Sequence, residues 1–79
     1  MKEITVNAEW HEDAKIWVAT SDDVWGLAAQ AADLESLRVK VLPMIADLVE
    51  LNQVVLEGPD VPVHIVAKST DTLHLKFVA

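Results

Sequence analysis

The chain has 79 residues and no cysteine, so it has room for one domain and cannot hold a disulfide or a Cys-based zinc site. A domain this small hides only roughly 60–65% of its unfolded surface, yet 52% of its residues are apolar and its mean hydropathy is +0.26. Either its core is unusually efficient or part of its apolar surface is buried by another chain, and the size penalty favours the second. A net charge of −7 and a pI near 4.6 disfavour direct binding to nucleic acid and favour encounter with a basic partner. The same acidity also serves plain solubility. Met1–Asn7 has no apolar signal-peptide core and no run approaches the length of a membrane span. A cytoplasmic location is therefore the default expectation.

In chain order, Ile4, Val6, Ala8 and Trp10 alternate with Thr5, Asn7 and Glu9, which predicts a strand with one wet face. His11–Lys15 has the length and polarity of a hairpin loop. Ile16–Thr20 is apolar on both faces and belongs inside a sheet. With a four-residue loop, Trp10 and Trp17 stand opposite each other, and such a pair adds up to about 1 kcal/mol. Asp22–Gly26 is a turn, with Gly26 supplying a φ that a side chain resists. Leu27–Ala31 is alanine-rich and locally favours helix.

Asp33 is a good helix N-cap, and Glu35 suits the positive end of the helix dipole. Leu34, Leu37, Val41, Ile45, Leu48 and Val49 form one apolar stripe ending near Asn52. Pro43 interrupts the helix, and because the stripe keeps its phase a kink between Val39 and Pro43 is expected rather than a break. Gly58-Pro59-Asp60 is a turn. Val61–Lys68 alternates as a strand with Pro62 at its start or on an edge. Leu73, Leu75 and Phe77 alternate with His74, Lys76 and Val78 as a last strand.

Trp17-Val18-Ala19-Thr20-Ser21-Asp22-Asp23-Val24-Trp25-Gly26-Leu27, followed by Leu34-Glu35-Ser36-Leu37, resembles the HicB-like antitoxins. Their N-terminal domain shows an aromatic-Val-Ala strand, a Ser-x-Asp-Ile-Pro-Gly-Leu turn and an Asp-Thr-Leu-Glu-Glu-Leu helix start. Trp17, Val18, Ala19, Ser21, Asp23, Gly26, Leu27, Leu34, Glu35 and Leu37 fit, with Val24 for isoleucine. Trp25 stands where the family has proline, and Ala32-Asp33 where it has Asp-Thr. The resemblance implies that Leu27–Ala31 is a strand despite its propensity. The expected fold is α+β, a single two-layer βββαββ domain over residues 1–79. Its sheet is mainly antiparallel with one kinked helix across one face, a truncated ribonuclease H-like arrangement.

Ribonuclease H chemistry needs carboxylates holding two metal ions about 4 Å apart. The resemblance would require one of them on the first strand, where Ile4–Glu9 carries no aspartate. Asp22 and Asp23 diverge on a turn, and Asp23 is expected to hydrogen-bond its own turn. His64 and His74 fall on the polar sides of their strands and lack a third ligand nearby, so solvated surface histidines are the expectation over a metal or pH-sensitive pair. His11-Glu12-Asp13 reads as a solvated hairpin tip. Two glycines cannot build a phosphate loop, and Ser21, Ser36 and Ser69 lie in no nucleophile elbow. The chain is expected to be no enzyme and to need no cofactor or metal.

Trp25 admits two readings: an interface anchor between acidic neighbours, or a lid folded over the open end of the core. The resemblance implies an antitoxin-like protein that masks a small basic ribonuclease toxin of the HicA kind, with Asp22, Asp23 and Trp25 facing the partner. Full-length members of that family carry a C-terminal DNA-binding module. A chain ending at Ala79 is expected to be a stand-alone domain lacking it. The alternative is a solitary homodimeric domain with a structural or regulatory role and no toxin.

Overall fold

The computed structural model describes residues 2–56 and 58–70. Three strands come first, β1 (Ile4–His11), β2 (Ile16–Thr20) and β3 (Ala28–Ala31), then helix α1 (Leu34–Leu51) and strand β4 (Val63–Lys68). The domain is α+β, and among the described residues the sheet has four strands in the order β3-β2-β1-β4. β2 runs antiparallel to β1 and β3, whereas β4 runs parallel to β1. A strand that returns parallel needs a crossover too long for a hairpin, and α1 supplies it. The expected strand Leu73–Val78 lies outside the described residues.

The alternation in β1 becomes burial: Ile4, Val6 and Ala8 point into the core beside Ala19 of β2 and Ala29 of β3. Small residues on β2 and β3 let α1 approach closely, and Leu37, Val41 and Ile45 fill the interface. Leu48 and Val49 are half-buried against the same core, while Leu34, at the first turn, remains 38% exposed. The helix is one element across Pro43. Alanine-rich β3 is a strand because Ala28–Ala31 pairs in register with Thr20–Trp17, so pairing overrides its helical propensity. β4 starts two residues later than the alternation from Val61 suggests. Pro62 has no N–H to give a ladder, but its carbonyl accepts from Ile4 N–H at 2.9 Å.

Trp10 pairs with Trp17 across a four-residue loop, their rings 5.4 Å apart and tilted by 56°. The hairpin tip is exposed as expected, and its side chains also bond to one another. Glu12 accepts from Trp10 Nε1 at 2.6 Å and forms an ion pair with Lys15, whose φ is +56°. These bonds hold the Glu12 carboxyl below its ordinary value, the Lys15 bond foremost.

At the start of α1, Asp33 Oδ1 accepts from Ser36 N–H at 2.7 Å and Oδ2 accepts from the Ser36 hydroxyl at 3.1 Å. The backbone bond from Ser36, then its hydroxyl, lower the Asp33 pKa. A depressed carboxylate stabilises the fold fully above its unfolded value of about 4 and loses that effect as pH falls through the folded value. Asp33→Asn keeps a cap acceptor but removes this titration, so its melting temperature should fall less between pH 6 and pH 3 than the parent's. Leu37→Ala should cost about 2–5 kcal/mol in urea unfolding. Leu34→Ala should cost far less, and equal costs would show that the helix face is misassigned.

Candidate functional site: the acidic turn

β2 stops at Thr20, but the N–H and C=O of Thr5 on β1 still face the place where its next residues would pair. Side chains complete the ladder there. Ser21 Oγ donates to the Thr5 carbonyl at 2.7 Å, and Asp23 Oδ2 accepts from Thr5 N–H at 2.8 Å. The same Ser21 oxygen accepts from Asp23 N–H at 3.1 Å and Val24 N–H at 3.2 Å. Asp23 therefore bonds the backbone of β1 rather than its own turn, correcting the expectation drawn from local turn chemistry.

This clamp sends Val24 inward, where it is fully buried, a transfer worth roughly 1.5–3 kcal/mol. Leu27 N–H closes the turn on the Val24 carbonyl at 3.3 Å, with Gly26 at φ +89°. The far side is tied to the helix: Asn52, the C-cap of α1, donates through Nδ2 to the Trp25 carbonyl at 3.0 Å. Trp25 is held by its backbone on both flanks while its side chain is 82% exposed. The lid reading is thereby overturned, since Val24 and not Trp25 fills the core.

The surroundings are acidic. Asp22 and Asp23 are exposed, and among the described residues no ion pair involves either. The turn lies against the C-terminal end of α1, the negative end of its dipole, and the last helical turn holds Glu50 and no basic residue. Two of the chain's cations are engaged elsewhere. Arg38 pairs with Glu35, each holding the other in its charged form, and Lys15 pairs with Glu12. The three residues singled out in the sequence are thus brought together, but in different roles. Asp23 positions, Asp22 contributes charge, and Trp25 presents surface. Sequence reasoning misses Ser21 and Asn52 as parts of the site. Ser21 sits in the Ser-x-Asp pattern that could have revealed it, whereas Asn52 is 27 residues away from its acceptor.

Among the described residues no three His, Asp or Glu side chains come close enough together to hold a metal ion. His64 Nε2 lies 3.4 Å from Glu3 Oε2, and His74 is outside the described residues. No helix is long and apolar enough to cross a membrane among the residues described.

Residues 3–77 match a family described only as a domain of unknown function, DUF1902. The fold is similar to the crystal structure of the hypothetical protein TTHA1013 from the extremely thermophilic bacterium Thermus thermophilus. The TM-score is 0.72 at 42% identity, over 92% of this chain and 99% of that one. No curated protein matches the chain.

An added Cβ at Gly26 would meet only Leu48 Cδ2, at an ordinary 3.6 Å, so substitution there acts through the backbone. Gly26→Ala should lower stability by about 1–2 kcal/mol through its left-handed φ. Trp25→Ala, with little to lose from the core, should stay within about 0.5 kcal/mol of the parent. Denaturant midpoints for the two variants check both.

Proposed function

The chain belongs to the DUF1902 family, and we propose that it is a non-enzymatic, antitoxin-like protein-binding domain that masks a small basic ribonuclease toxin of a type II toxin–antitoxin system. The observation that carries this reading is Trp25. A large apolar side chain, 82% exposed on a turn whose backbone is tied to both β1 and α1, loses little conformational entropy on binding. Tryptophan at the centre of an acidic rim is the composition of an interface hot spot for a cationic surface. Asp22 and the negative end of α1 beside it favour a partner rich in lysine and arginine. The order of three strands, one helix and a further strand is compatible with the layout that the HicB-like resemblance implies. The domain would work in the cytoplasm, where such a toxin meets RNA, and needs no cofactor.

A second reading, self-association without a toxin, is supported by a different observation: 52% of the residues are apolar in a domain of this size, and Val39, Leu42, Leu51 and Val66 are exposed.

The test of the first reading is binding to a basic, HicA-like ribonuclease measured beside thermal melting. Trp25→Ala should weaken binding by about 2 kcal/mol or more without changing the melting temperature. Asp22→Asn should mainly slow association and flatten its salt dependence. Asp23→Ala should lower the melting temperature, because it leaves Thr5 N–H without its acceptor. Undiminished affinity in Trp25→Ala would remove the acidic turn from the interface.

A further inference from the structure

The most exposed apolar side chains gather at one end of the molecule. Trp25, Val55 at 80% and Leu51 at 76% are more exposed than any other large apolar side chain described. Leu51 closes α1, and the next residue, Asn52, is the cap whose Nδ2 donates to the Trp25 carbonyl. Leu51 therefore stands one residue, and Val55 three, from the cap residue that joins the turn to the helix. Gly26 lies beside Leu48, where an added Cβ would be 3.6 Å from Cδ2. Leu51, three residues on, runs past the edge of the core.

The two segments are held as one piece. The Asn52 N–H donates to the Leu48 carbonyl at 2.9 Å. With Gln53 at φ +54°, the Val54 N–H returns to the Val49 carbonyl at 3.0 Å and closes the helix end. A surface fixed in this way loses little freedom when a partner covers it.

The rim is acidic on both segments. Asp22 precedes Trp25 on the turn, Asp47 lies one helical turn before Leu51, and Glu50 adjoins it, all three exposed. None of them joins an ion pair among the described residues. Lys15 and Arg38 are paired with Glu12 and Glu35, and Lys40 donates to the Gln30 carbonyl at 2.8 Å.

We propose that Trp25, Leu51 and Val55 form a single docking surface across the turn and the helix end, and that it takes an arginine-bearing segment of a basic partner. The inference rests on the reading of the acidic turn as partner-facing and adds to it the helix end and the arginine. Charge selects the occupant. A second copy docking here by its own patch would set Asp22, Asp47 and Glu50 against their own images. Arginine suits the surface better than lysine. Its planar, weakly hydrated guanidinium stacks on an indole while its edge bonds a carboxylate, whereas an ammonium is a compact, strongly hydrated point charge. The methylene stem is left to cover the apolar neighbours.

The probes are hexa-arginine and hexa-lysine, equal in charge, titrated into the isotope-labelled chain. Hexa-arginine should shift the Trp25 indole N–H and the Leu51 methyl signals together, with one dissociation constant, and leave Trp10 and Trp17 unshifted. Hexa-lysine should bind about two- to fivefold more weakly. Leu51→Lys should weaken hexa-arginine binding several-fold. Val39→Lys, the same change of charge at an exposed position elsewhere on α1, should not. Equal affinities for the two peptides overturn the arginine assignment, and equal effects of the two lysine variants overturn the part of the helix end. A sedimentation mass that rises with concentration in the parent, and does not in Leu51→Lys, would give the surface to a second copy. With a HicA-like ribonuclease, binding weakened by Trp25→Ala but not by Leu51→Lys removes this inference and leaves the antitoxin-like reading standing. Peptide binding as expected, with no binding of the ribonuclease, does the reverse.

Discussion

The fold depends on how Thr5 is satisfied beyond the end of β2. Its N–H and C=O face a strand that has already turned away, and an unpaired strand backbone costs free energy wherever water is excluded. Ser21 and Asp23 put side-chain oxygens where the missing backbone would be. Because the Ser21 oxygen also binds the turn's own amides, one hydroxyl couples β1 to the path of residues 21–24. Val24 is thereby driven into the core and Trp25 out of it. Burial of Val24, the positive φ at Gly26 and the display of Trp25 are three results of a single local constraint. Changing the clamp would alter core and surface together.

Much of this is legible in the sequence where the determining contacts are local or periodic. Alternation locates β1, the N-cap and apolar stripe locate α1, and the hairpin length sets Trp10 against Trp17. Periodicity cannot set the order of the strands. That β4 returns parallel to β1 depends on α1 carrying the chain across the sheet, a contact between segments far apart in sequence. The acidic turn is visible in the sequence, yet its wiring is not. Local chemistry assigns Asp23 to its own turn because aspartate commonly serves there, whereas its acceptor oxygen binds an amide 18 residues earlier. The tie from Asn52 to Trp25 is equally long-range and leaves no pattern in either segment.

The proposed binding function turns on one surface, where charge gathers around an apolar side chain. The turn gathers Asp22, Asp23 and the negative end of α1 around an exposed indole, and its attraction for a cationic partner extends over a Debye length of about 8 Å at physiological ionic strength. A net charge of −7 opposes the approach of other acidic chains. In the proposed reading, repulsion of acidic chains adds to the attraction of basic ones at this turn.

Backbone geometry bears on the same surface. In the acidic turn Ser21 binds the amides of Asp23 and Val24 and Asn52 binds the Trp25 carbonyl, so the turn offers side chains rather than a ladder to a partner. An anchored tryptophan recognises a pocket of one shape.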